Sequence, residues 1–146
     1  MTQTKLDAST LQVGDQAPVR THTLTRTDLV RYAGASGDFN PMHHDEIKAT
    51  AAGQPSVFGH GMFSMGFLSS ALTDYVGIGN LVRYRVRFVR QTWPGEELIT
   101  RIVVTGLHAE QGRPVVDLDV RLLNAQGEEK VVGEARAALP PLTAGA

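Results

Sequence analysis

Three features of the 146-residue chain predict one α+β domain, a buried central helix wrapped by antiparallel strands. The first is an apolar stretch of helical length over residues 61–75. The second is a switch of hydrophobic period after Gly79, from about 3.6 to two. The third is that the alternating runs that follow are separated by short Gly-containing turns, which favour antiparallel pairing.

Taken in order, residues 19–24 alternate weakly and predict a first strand. Thr25 with Asp28 forms a capping-box pattern, followed by Leu29, Val30, Tyr32 and Ala33 at helical spacing, so a helix is placed over residues 26–35. Ser36-Gly37 ends it, and residues 38–41 form a turn, because proline disfavours helical geometry at Asn40. A short helix over 45–52 and a Gly/Pro-punctuated loop over 53–59 come next. The helix over 61–75 carries apolar residues on nearly every side, which predicts burial all round. Four strands follow: Val82, Tyr84, Val86 and Phe88 alternating with Arg83, Arg85 and Arg87; then 98–107, 114–123 and 131–139, with turns at Pro94-Gly95, Gly112 and Gln126-Gly127. Residues 140–146 are expected to fray.

Composition excludes more than it selects. Without cysteine there is no disulfide, thiol nucleophile or Cys-ligated zinc. A net charge of −1 argues against a nucleic-acid partner, which needs a basic excess. Residues 1–14 lack the apolar run of a secretory signal, and no stretch is apolar enough for a bilayer span, so a cytoplasmic location without membrane attachment is expected. The length bounds the chain to one domain over 1–146, with a core from about 13 to 138.

Chemistry concentrates in residues 37–45. Asp38 and His43 would face apart on a regular helix, but the Asn40-Pro41 reversal between them can bring carboxylate and imidazole together, a pair suited to acid–base work near neutral pH. The same residues are also common turn formers. His60-Gly61-Met62 stands where a loop meets the apolar helix, where backbone N–H groups point outward and can hold negative charge; Gly61 also simply permits close packing. His43, His44, Asp45 and His60 lack metal-ligand spacing, so no metal and no cofactor are expected. The arginine stripe is read as a solvated strand face rather than a phosphate site.

The run Tyr32-Ala33-Gly34-Ala35-Ser36-Gly37-Asp38-Phe39-Asn40-Pro41-Met42-His43, with Val57-Phe58-Gly59-His60-Gly61-Met62, resembles the MaoC-like dehydratase family. Val86-Arg87-Phe88 and Trp93-Pro94-Gly95-Glu96 extend the similarity over nearly the whole chain. The resemblance implies a single hot-dog fold and (R)-specific hydration of trans-2-enoyl thioesters, or dehydration of (3R)-3-hydroxyacyl thioesters, carried by coenzyme A or acyl carrier protein. It implies Asp38 and His43 as catalytic dyad, the Gly61 amide as oxyanion donor and Asn40 as support of the turn. It also implies a dimer whose sheets join, either a homodimer or a heterodimer with a related chain. Gly59 departs from the alanine many relatives carry there, which is expected to loosen the loop.

The alternatives are a hot-dog acyl-CoA thioesterase, for which Asp74 is poorly placed near a helix end, and a non-catalytic acyl-binding subunit, which the intact Asp38 and His43 oppose. Phe63, Met65, Phe67 and Leu68 are candidates to line or plug an acyl tunnel.

Overall fold

Strand β4 (Arg113–Asn124) shows why the chain folds as it does. Val116, Leu118, Val120 and Leu122 alternate with Asp117, Asp119 and Arg121, so one face of the strand is apolar and buried while the other is charged. The computed structural model describes residues 6–141, so the first five residues of the N-terminal reading and most of the expected frayed tail lie outside it. Around β4 the sheet builds in the order β1 (Thr21–Thr23), β3 (Glu97–Glu110), β4, β5 (Glu129–Ala138), β2 (Leu81–Phe88), antiparallel throughout.

Helix α3 (Gly61–Val76) lies against the apolar face, where Leu68, Leu72 and Val76 join Ile102, Leu118 and Val120 in one core. The outer face is a mesh of ion pairs, including Arg136–Asp117, Arg121–Asp119 and Arg83–Glu134. Arg83 thus belongs to a solvated charged face, as read from its alternation.

Helix α1 (Arg26–Ser36) starts on the capping box expected of Thr25 and Asp28, with both reciprocal bonds formed. It ends on Gly37 in the left-handed region, at φ 74°, where a side chain would be strained. Helix α2 (Glu46–Ala51) takes Asp45 as its N-cap rather than as its first residue. No helix of the described residues is long and apolar enough to cross a membrane.

Three expectations are corrected. The first strand is only Thr21–Thr23; residues on its N-terminal side instead lean on β3 through single bonds such as Ala17 N–H to Ile102 O, 3.0 Å. Strand β2 does not pair with β3, its neighbour in sequence, but with β5 at the far edge. Residues 89–96 make this possible by crossing from one edge of the sheet to the other, tied at both ends: Val89 N–H to Lys130 O, 2.9 Å, and Gly95 N–H to Leu24 O, 2.7 Å. Finally, α3 is not buried all round. One sheet covers one side of a helix, so Met62 is 56% exposed and Phe63 and Phe67 are half-buried.

Candidate active site

The site forms where α1 ends, a short 3-10 turn intervenes, and α3 begins. Past Gly37 the chain reverses over Asp38 and Asn40, then closes a 3-10 turn over Pro41–His43. Asn40 caps that turn: its Oδ1 accepts from Met42 N–H at 3.1 Å. Asn40 N–H in turn donates to Asp38 Oδ1 at 3.2 Å, which leaves Oδ2 to face His43. The turn therefore does what its sequence suggested and brings the two side chains together, with His43 Nε2 3.9 Å from Asp38 Oδ2.

That distance is too long for a direct hydrogen bond and short enough for one water to bond both groups. His43 is buried while Asp38 is half-exposed, so the pair opens to solvent through the carboxylate. His43 Nδ1 lies 2.7 Å from the Phe58 carbonyl. A carbonyl only accepts, so Nδ1 carries the proton, and in the neutral ring Nε2 presents a lone pair toward Asp38. Phe58 also packs edge-on against the His43 ring, centroids 5.2 Å apart.

Gly61 is the first residue of α3, and no side chain caps that helix, so its N–H has no intrahelical partner. It opens onto a cleft of about 340 Å³ whose walls include Phe58, Ser64, Phe88, Arg90 and Thr92. Phe88, on edge strand β2, would touch a Cβ built on Gly61 at 3.3 Å, so glycine keeps this approach free.

Gly59 behaves unlike its sequence suggested. It is not slack: its N–H donates to Thr92 O at 2.7 Å, and the Thr92 hydroxyl fills the space where an alanine methyl would sit, 2.2 Å from the ideal Cβ. Segment 89–96 is itself anchored by Glu96, which accepts from Trp93 N–H and pairs with the fully buried Lys130 at 2.8 Å. His44, given no role in the sequence, points away and reaches the Phe39 carbonyl at 3.1 Å. Asp74 is exposed and ion-paired with Arg20. Of the candidate tunnel residues, Leu68 is core, whereas Phe63 and Phe67 pack against His22.

The side chain that sequence reasoning passed over is His60. It was singled out only as the neighbour of Gly61 and as a possible ligand, yet its ring stacks on His43. A histidine beside the glycine that opens an apolar helix was the available signal. Asp38, His43 and His60 each offer a ligand atom, all within 4.8 Å of one another. The two imidazole planes lie stacked, however, so their in-plane lone pairs run side by side rather than converging on one cation.

The family model described as MaoC like domain matches residues 10–126. The chain belongs to this MaoC-like family. It is similar to the (R)-specific enoyl-CoA hydratase of Aeromonas caviae, 30% identical over 92% of this chain and all of that protein. It is also similar to a peroxisomal enoyl-CoA hydratase 2 of Arabidopsis thaliana, 37% identical over 49% of this chain but only 24% of that protein. The chain thus spans about a quarter of that longer relative. Among solved structures, the R-hydratase PhaJ1 of Pseudomonas aeruginosa is 30% identical and superposes with a TM-score of 0.78, covering 92% of this chain and 85% of that one. The (R)-hydratase of A. caviae superposes at 0.79 with 26% identity over 90% of this chain and 98% of that one. The MaoC-like chain therefore has the hot-dog fold, in which the five-stranded sheet wraps α3.

Proposed function

We propose that this MaoC-like protein is a hydro-lyase that adds water to a trans-2-enoyl thioester and, in reverse, dehydrates the (3R)-3-hydroxyacyl thioester. The observation that carries the reading is the 3.9 Å separation of Asp38 Oδ2 and His43 Nε2, with His60 stacked on His43 directly before Gly61, whose N–H has no intrahelical partner. The (R) sense and the thioester substrate, on coenzyme A or an acyl carrier protein, are taken from the relatives, which include a mitochondrial 3-hydroxyacyl-[acyl-carrier-protein] dehydratase of A. thaliana.

In this reaction water bonded to both groups attacks C3, and the C2–C3 π electrons move toward the thioester oxygen. The Gly61 N–H, with the positive end of α3 behind it, stabilises the enolate oxygen. His43 Nε2, bare because Nδ1–H is committed to Phe58, accepts the water proton while Asp38 holds the other hydrogen. The proton on His43 then passes to C2, so the product has gained one hydroxyl and one hydrogen from a single water.

A homodimer completes the proposal. Strand β2 is an edge with one side unpaired, and Val82, Phe88 and Met62 are exposed near it, which supports a second copy docking there. The thioesterase alternative loses support because Asp74 is engaged by Arg20.

The test is a pair of variants at one residue. Gly61→Pro removes the N–H while suiting the first position of a helix, and His60 already has the extended ψ of 134° that a following proline requires. Hydration of crotonyl-CoA should fall about 10²–10³-fold in kcat, the usual loss for one oxyanion donor. Gly61→Ala keeps the N–H and should retain more activity than Gly61→Pro. Equal activity of Gly61→Pro and wild type, or no hydration of any enoyl-CoA chain length by wild type, refutes the reading.

A further inference from the structure

We infer that His60 is a positioning residue that holds both members of the Asp38–His43 pair in register with the oxyanion donor. The inference rests on the hydratase reading above.

His60 touches each part of the site by a different interaction. Its Nε2 lies 3.1 Å from the backbone carbonyl of Asp38, so Nε2–H donates to the chain that carries the carboxylate. Its ring stacks on His43 at a centroid separation of 3.8 Å and an interplanar angle of 29°, while Tyr32 covers it from another direction at 4.8 Å. Its backbone is the N-cap of α3, directly before Gly61. One side chain therefore joins the turn bearing Asp38, the ring of His43 and the helix start.

A purely structural reading of His60 fits poorly. The residue is 1% exposed, yet its Nδ1 has no hydrogen-bond partner. A buried, unpaired polar atom is destabilising, and an apolar side chain of similar size would fill the space without it. What an apolar residue could not supply is the N–H for the Asp38 carbonyl. Burial, outweighing that bond to Asp38, pushes the imidazole pKa below its ordinary value, and the neighbouring His43 and His44 act in the same direction. The shift runs against the Asp38 charge and favours the neutral ring beside His43.

Stability and turnover should therefore separate. In His60→Phe the apolar ring can still stack but donates nothing; its melting temperature should equal or exceed that of wild type. Its kcat for enoyl-CoA hydration should fall about tenfold or more, with KM changed less than about threefold, because positioning is lost while substrate contacts remain. His60→Gln, which restores an N–H donor, should recover a substantial part of that loss. If the phenylalanine does not fit, His60→Met serves as the apolar variant. A substrate-free measurement follows the 15N resonances of the His43 ring, which should move in His60→Gln, where the stacked ring is lost, more than in His60→Phe. Wild-type kcat in the apolar variant, a kcat loss that merely tracks a fall in melting temperature, or a glutamine no better than the apolar residue overturns the inference. If wild type proves inactive, the hydratase reading fails, and the His43 resonances still decide whether His60 places that ring.

Discussion

Replacing Gly59 by alanine is the sharpest single test of how the loop leading into Gly61 is held. An ideal Cβ at position 59 falls 2.2 Å from Thr92 Oγ1 and 3.0 Å from Leu24 Cδ2. The leucine methyl ends a flexible side chain and can yield. The threonine hydroxyl cannot yield as readily, because Thr92 is buried and its own backbone carbonyl accepts from Gly59 N–H at 2.7 Å. Overpacking of this kind costs about 1–3 kcal/mol. For a domain of this size that lowers the melting temperature by about 3–10 °C. The displaced loop runs straight into His60 and Gly61, so kcat for enoyl-CoA hydration should also fall, by about tenfold. Thr92→Ala is the rescue. Thr92 Oγ1 is buried without a hydrogen-bond partner, so deleting it relieves an unsatisfied group while losing one methyl, and the single variant should stay within about 1 kcal/mol of wild type. In the double variant the new methyl meets the residue 92 Cβ at 3.4 Å, an ordinary contact, and the flexible Leu24 Cδ2 at 3.0 Å. A double-mutant cycle by thermal or urea unfolding should then return a favourable coupling of about 1 kcal/mol or more. An unchanged melting temperature in Gly59→Ala, or a double variant no more stable than Gly59→Ala, refutes the reasoning.

Other outcomes follow from the same structure. Lys130→Met should destabilise the fold by about 3–5 kcal/mol in urea unfolding, since it leaves the Glu96 carboxylate without its buried partner, while Lys130→Met with Glu96→Gln should recover most of the loss. Burial pushes the Glu96 pKa up, but the bonds from Lys130, Asn124 and Trp93 N–H outweigh it and hold the carboxyl below its ordinary value. The folded state therefore binds this proton less readily than the unfolded one. Its stabilisation is present above the ordinary glutamate value of 4.5 and is lost as pH falls below it, and Glu96→Gln should flatten that part of a stability-against-pH curve. Gly133→Ala would place a methyl 2.1 Å from the Arg85 carbonyl and 2.8 Å from Val86 Cα, so the β2–β5 pairing should weaken. Size-exclusion chromatography with light scattering should show that variant shifted toward monomer, if β2 is the edge where copies meet.

How legible the site was depended on how local its parts are. The Thr25–Asp28 capping box, the Asn40 cap and the reversal that joins Asp38 to His43 involve residues at most five apart, so their chemistry could be read from order and residue type. His60 bonds Asp38 across 22 residues, and Thr92 meets Gly59 across 33; neither spacing follows from a period or a turn rule. Gly59 accordingly read as a loosening, because only the approach of segment 89–96 shows what occupies the missing methyl's place.

The same division holds for the fold. Alternation along residues 113–124 decided which side chains face the core, since a strand turns over every residue, and the length and apolarity of 61–76 decided that a helix would lie against that face. The order of the strands was not determined in this way. That β2 passes over its neighbour β3 to pair with β5 depends on the crossing of residues 89–96, fixed by bonds to Lys130, Gly59 and Leu24 that are distant in the chain. The exposure of Met62 was likewise decided by tertiary structure: hydrophobicity marks a residue for burial, but a single sheet has only one side with which to cover a helix.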